Sequence, residues 1–159
     1  MQIRPFALER FFARHEFSAR FLLSSSDVEA YTQAEVLALA DDETRVLWAG
    51  LTLNYTETAG HPLLRAEIAG LYDGLEAEDV LVFSGAQEAV FAFASAALGA
   101  GDHAVVVTPA YQSLYEVARA EGAEVTTVEL RREHGWALDL DAVRGAVRPA
   151  TRAIVVNFP

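Results

Sequence analysis

The sequence predicts an α/β fold: a largely parallel sheet with helices on both faces, preceded by a helical N-terminal arm. Three observations lead there. Short, continuous apolar runs occur at Val80–Phe83, Ala104–Val107, Val125–Val128 and Ala153–Val156. Strands that are apolar throughout, not alternately, are strands covered on both sides. Amphipathic segments separate the runs, and the run centres lie about 20–28 residues apart, enough for the crossover helix a parallel connection needs.

Residues 1 to about 45 look helical and irregular. Pro5 suits a helix start. Ser24, Ser25, Ser26 and Asp27 form a polar stretch, and Thr32 with Glu35 forms a T-x-x-E capping box ahead of Val36, Leu37 and Leu39. Pro62 opens a helix with Leu64, Ile68, Leu71 and Tyr72 on one face, followed by Gly74. The first strand is expected at 80–84. A helix over 86–98 follows, with Val90, Ala94, Ala97 and Leu98 on one stripe, and Gly99-Ala100-Gly101 reads as its cap and turn. The second strand is expected at 104–108. A helix over 111–121 carries Tyr111, Leu114, Tyr115 and Ala118, and Gly122 ends it. The third strand is expected at 124–129. Asp139 caps a short helix that Pro149 closes, before the fourth strand at 152–157.

Composition narrows the function. The 159 residues support one compact core. The formal net charge is −11, which argues against nucleic-acid binding. There is no cysteine, so disulfides and thiolate metal sites are excluded; this fits a reducing compartment such as the cytoplasm. No apolar run approaches the ~18–20 residues of a membrane span. Met1 to Phe21 mixes Arg4, Arg10, Arg14 and Arg20 with five phenylalanines. A transit peptide is one reading, which Glu9 and Glu16 disfavour; an arm packing its Phe residues on a partner surface is the other. All 12 basic residues are arginines, so no side-chain amine is available.

Parallel α/β sheets bind ligands beyond the carboxyl ends of their strands, which directs attention to the segments after Phe83, Val107 and Val156. After the first comes Ser84-Gly85-Ala86-Gln87-Glu88-Ala89, a small-residue turn running straight into a helix. The free N–H groups and dipole of such a start suit a phosphate, and Gly85 admits a bulky anion close to the backbone. A small residue placed there for packing alone is the bland alternative. The dinucleotide pattern G-x-G-x-x-G is absent. After the second strand comes Thr108-Pro109-Ala110-Tyr111, where Tyr111 either stacks on a planar ligand or fills the core. Upstream, Tyr55 sits in a polar loop, exposed or buried. Arg65, in the first turn of its helix, opposes the helix dipole and is expected to have an acidic partner.

These segments together resemble the class I/II aminotransferases. Tyr55…Gly60…Leu64-Arg65…Ile68-Ala69…Tyr72 looks like the family's Y-x4-G-x3-L-R-x2-I-A segment. Val82 to Ala89 resembles its strand and phosphate-cup turn, and Gly101-Asp102-His103-Ala104-Val105 with Pro109-Ala110-Tyr111 resembles its G-D-x-V…P-x-Y segment. Ala153 to Pro159 is similar to the strand entering its N-P-x-N-P-T-G signature. The likeness covers roughly residues 27–159. It implies a fold-type I enzyme dependent on pyridoxal 5′-phosphate (PLP), acting as a homodimer on an amino acid and a 2-oxo acid. By position, Gly85, Ala86 and Gln87 would cup the cofactor phosphate. Tyr111 would stack on the pyridine ring, and Tyr55 would reach the phosphate of the other subunit's cofactor. Asn157 matches the first signature asparagine, whereas the family's cofactor-contacting one is the second, beyond Pro159.

The resemblance also implies what is missing. The family's cofactor-linked lysine, the aspartate on the pyridine nitrogen and the substrate-binding arginine follow the asparagine signature, so no catalytic residue is assigned here. The expectation is therefore an N-terminal piece of an aminotransferase, inactive alone. Residues 1–45 would form the arm and part of a small domain, and 46–159 an incomplete PLP-binding large domain. No metal site is expected. The alternatives are another fold-type I activity (lyase, synthase or decarboxylase), a non-catalytic truncated chain that binds a partner subunit, and an unrelated nucleotide-binding α/β domain. Leu22 to Tyr31 resembles enzymes that process arginine-derived amino acids in natural-product pathways.

Overall fold

The computed structural model describes residues 2–25 and 27–158; Met1, Ser26 of the serine stretch and Pro159 of the signature segment lie outside the described residues. The chain divides into two compact units, Met1–Ser18 with Phe83–Pro159, and Ala19–Val82.

The first unit is built on a three-stranded parallel sheet. Its strands are β1 (His103–Thr108), β2 (Glu124–Glu129) and β3 (Thr151–Val155), in the order β2-β1-β3. The central strand is the most apolar, and Ala104 to Val107 are essentially sealed from solvent. β1 pairs with β2 from His103↔Glu124 to Thr108↔Glu129, and with β3 through Ala104↔Ala153 to Val106↔Val155. The helices of this unit are α1 (Ala7–His15), α5 (Ala86–Ala97), α6 (Ser113–Ala120) and α7 (Leu140–Ala146). The β1–α6–β2 connection steps one way across the sheet, and the β2–α7–β3 connection steps back past β1. Connections of the same right hand running in opposite directions put their helices on opposite faces. Side chains agree. Ala104, Val125 and Ala153 share one face and pack with Ala94 and Leu98 of α5, Val117 and Ala118 of α6, and Ala123. The alanines let helix and sheet backbones approach closely.

The other face carries a buried histidine. His103 is fully enclosed, with Nδ1 2.8 Å from Thr151 Oγ1 and Nε2 2.9 Å from Thr126 Oγ1. It thus ties the central strand to both neighbours through side chains, as a buried polar ring must be tied to be tolerated. Beside it, Arg148 pairs with Glu124 and holds that carboxyl below the usual range. Asp139 caps α7 by accepting the N–H groups of Asp141 and Ala142, as its position predicts.

The second unit holds α2 (Gln33–Ala38), α3 (Asp42–Ala49) and α4 (Pro62–Ala69). The Thr32–Glu35 capping box forms in full. Asp41 caps α3 by accepting the Thr44 N–H.

Two expectations are corrected here. Residues 80–84 are not a strand. A strand exists by its ladder, and both neighbours of β1 are already β2 and β3; this run makes isolated backbone bonds instead, from the Val80 N–H to the Ala77 carbonyl at 3.2 Å and from the Val82 N–H to the Ala59 carbonyl at 2.9 Å. Arg65 has no acidic partner at salt-bridge distance among the described residues. Its Nε donates instead to the Val80 carbonyl at 2.9 Å, so the guanidinium secures the extended run that follows α4.

Candidate functional site

The candidate site lies in the first unit, where α5 starts and where β1 passes into α6. Gly85 is the N-cap of α5, with φ 108° and ψ 158°, a backbone region open to glycine and strained for other residues. A Cβ at this position would meet nothing within 4 Å, so the space in front of the helix start is open. Gly85, Ala86 and Gln87 are all exposed, and no side chain caps the first turn. One acid sits there: Glu88 folds back so that its Oε2 accepts the Ser84 N–H at 2.6 Å. Its carboxylate is thus turned to a donor outside the helix.

Tyr111 is half-buried, two residues before α6, and its carbonyl accepts the Leu114 N–H at 3.1 Å. The packing of α5 on α6 fixes where these two starts lie. Ser95 Oγ donates to Glu121 Oε1, joining the last third of α5 to the end of α6, and Ala94 and Leu98 pack against Val117 and Ala118. The helices therefore run side by side in the same direction. Counting back nine residues from Ser95 reaches Ala86, and from Glu121 reaches Gln112; at 1.5 Å per residue both starts lie about 13 Å from that hydrogen bond. Because α6 follows directly on β1, both starts sit at the carboxyl edge. Gly85 to Gln87 and Tyr111 accordingly stand at the starts of two helices packed side by side.

Two aligned helix starts at one edge sum their partial positive charges, a setting for an anion. An aromatic ring beside them can lie against a planar group. Ser113, the first residue of α6, is buried with a hydroxyl that has no hydrogen-bond partner among the described residues. Asn157, after β3, is exposed.

Tyr55 belongs to the second unit. Its side chain is fully exposed (relative accessibility 101%), as is that of Leu53. The loop borders a groove of about 1180 Å³ lined by Leu47, Trp48, Leu51, Leu63 and Leu64 among others. Next to Tyr55, the Thr56 hydroxyl donates to Glu57 at 2.7 Å and holds that carboxyl below the usual range.

Sequence reasoning did not single out Gln112 and Glu116. The only signal was a polar and an acidic residue four apart on a helix otherwise read as apolar. Among the described residues, no group of three His, Cys, Asp or Glu side chains is placed to hold a metal ion, and no helix is long and apolar enough to cross a membrane.

Comparison with known proteins bears on these features. The family model for aminotransferase class I and II matches residues 21–159. Capreomycidine synthase of Streptomyces vinaceus is 38% identical over 154 residues, covering 96% of this chain and 39% of the synthase. Arginine–pyruvate transaminase of Pseudomonas aeruginosa is 34% identical over 143 residues, 87% of this chain and 35% of that enzyme. Among solved structures, a PLP-dependent aminotransferase from Streptococcus suis superposes with a TM-score of 0.86 at 30% identity, covering 97% of this chain and 42% of that one. The PLP-dependent cyclase OrfR gives 0.82 at 30% identity, covering 100% and 41%. The chain thus spans about two fifths of the length of the proteins it matches.

Proposed function

The chain belongs to the class I and II aminotransferases, and from that premise we propose that it carries the phosphate- and ring-binding half of a PLP site. The full-length form would transfer an amino group between an amino acid and a 2-oxo acid. The observation that carries the reading is the shared end of α5 and α6, where an open, uncapped helix start stands beside a half-buried tyrosine.

In this reading the N–H groups of Gly85, Ala86 and Gln87 hold the phosphate, drawing on the dipole of the 12-residue α5. Tyr111 lies against the pyridine face and excludes water from it. Tyr55, fully exposed on its loop, reaches the phosphate held by a second copy, which makes the working unit a homodimer. When bound, PLP supplies an electron-withdrawing ring that eases bond breaking at an amino acid's α-carbon. The chain's own residues bind and orient but offer no side-chain amine to the cofactor aldehyde. It has no lysine, and a guanidinium, protonated at any working pH, does not take that place. The 159-residue chain therefore binds PLP without transaminating. A cytoplasmic location fits the absence of cysteine.

A second reading has its own support. The relatives that match nearly the whole chain include a synthase and a cyclase, not aminotransferases alone. The same half-site would then serve a fold-type I reaction that builds or closes a ring, with no net amino transfer. The test starts with the purified chain, PLP, a panel of amino acids and 2-oxoglutarate. Saturable PLP binding that Gly85→Ala weakens, with no glutamate formed above the level of free PLP, is expected. Turnover by protein shown by mass to be this chain would overturn the binding-only role, and no PLP binding would overturn the site. In the full-length form, glutamate release would favour amino transfer, and a cyclised product without it would favour the second reading.

A further inference from the structure

The start of α6 makes contacts that cofactor binding does not require. Gln112, its N-cap residue, holds two groups more than a hundred positions earlier in the chain. Its Oε1 accepts the Ala7 N–H at 2.9 Å, and its Nε2 donates to the Pro5 carbonyl at 3.1 Å. Ala7 opens α1, whose own N-cap residue, Phe6, provides no side-chain cap. Gln112 therefore satisfies one of the free donors at the start of a different helix. One turn along α6, Glu116 is buried, with its carboxylate 2.7 Å from Arg119 Nη1 and 3.8 Å from Arg4 Nε. Gln112 and Glu116 are four residues apart and so lie on one face. Residues 4–7 are pinned along that face at both ends.

Tyr111 directly precedes this clamp. The Gln112 carbonyl accepts the N–H groups of Tyr115 and Glu116, and the Tyr111 carbonyl accepts that of Leu114. The residue that holds the arm is thus part of the turn that orients Tyr111. Helix ends fray unless tied down, and here the tie is the arm.

We infer that Gln112 is a positioning residue: by clamping residues 4–7 to the first turn of α6 it fixes Tyr111 for stacking, so that docking of the N-terminal arm and ring seating at the site are one event. The inference rests on the cofactor-site reading above.

The test uses Gln112→Ala, a variant lacking residues 2–7, and the two combined, each with fold checked by far-ultraviolet circular dichroism. Two readouts are needed: trypsin nicking after Arg10 and Arg14 by mass, and the affinity and induced circular dichroism of added PLP. Gln112→Ala should speed nicking and weaken PLP roughly three- to tenfold, the scale of losing one neutral hydrogen bond, with a smaller induced signal. Removing the arm should give the same loss, and the combined variant no further loss, since contacting groups are not additive. Gln112→Glu keeps the acceptor for Ala7 but not the donor to Pro5, and should fall between. If Gln112→Ala weakens PLP equally with and without the arm, the glutamine acts directly and the inference is wrong. If the arm is released while PLP binding and its induced signal stay as in the parent, arm and ring are uncoupled and the inference is again wrong, with the cofactor reading intact. A parent chain that binds no PLP overturns both.

Discussion

Gly85→Ala separates backbone strain from packing. Gly85 stands at φ 108° and ψ 158°, and an added Cβ there would touch nothing within 4 Å. Its cost is therefore conformational alone, on the order of 1–3 kcal/mol for a residue held in a glycine-only region. Gly60 provides the internal comparison. It has nearly the same φ, 107°, but a Cβ there would lie 2.6 Å from both Cβ and Cγ2 of Val82. Gly60→Ala adds an overlap with a packed neighbour, typically a further ~1–3 kcal/mol. Urea unfolding followed by circular dichroism should rank the chains as parent, Gly85→Ala, Gly60→Ala. The same Cβ at Gly85 projects into the space where an anion would approach, so phosphate affinity should fall in that variant, and Gly60→Ala, where still folded, should keep it. Equal stability of Gly85→Ala and parent would show that the positive φ is not maintained in solution, and with it the geometry of the helix start.

Further outcomes are expected. Tyr111→Ala should weaken PLP retention by about 1 kcal/mol through lost stacking, read by equilibrium binding; unchanged affinity would remove Tyr111 from the site. Glu116→Gln should destabilise the first unit by roughly 1.5–3 kcal/mol, the worth of hydrogen bonds to charged groups, in urea titrations; parity with the parent would show that Arg119 and Arg4 do not hold the carboxylate. Ser113→Ala should leave stability equal or higher, because its buried hydroxyl has no partner to lose; a clear loss would reveal a partner. The Thr32 hydroxyl and N–H hold the Glu35 carboxyl below its ordinary 4.5. A depressed carboxyl stabilises above its unfolded value and loses that effect as pH falls through the folded one. The stability gap between parent and Glu35→Gln should therefore close as pH drops from roughly 6 to 3; a constant gap would exclude the titration.

Much of this was legible in the residues, and the misses have a common cause. β1, β2 and β3 were readable because β-branched runs between helices carry their own signal, and the caps at Thr32 and Asp139 because a cap and its donors lie within three residues. Gly85 and Tyr111 were readable as site candidates because each follows a strand-like run directly. The strand expected at 80–84 failed because apolar, extended residues become a strand only with a neighbour to pair with, and a local pattern cannot supply one. Arg65 was expected to seek an acid and found a carbonyl 15 positions on. His103 and Gln112 were illegible for the same reason: their partners lie 23, 48 and more than a hundred residues away. What periodicity hides is the pairing of polar groups across the fold.

The parallel alignment of α5 and α6 has an electrostatic consequence. Side-by-side dipoles pointing the same way repel, and packing through Ala94, Leu98, Val117 and Ala118 must hold them against that repulsion. At the far end Arg119, in the last turn of α6, eases the negative pole. At the near end the positive poles face an acid in the first turn of each helix, Glu88 turned to the Ser84 N–H and Glu116 turned to Arg119, while the N–H groups of Gly85 to Gln87 carry no side-chain cap. A dianion settling there relieves a strain between the two helices as well as gaining hydrogen bonds. Inorganic phosphate alone should thus stiffen the pair, so that anion binding and the packing of α5 on α6 reinforce each other.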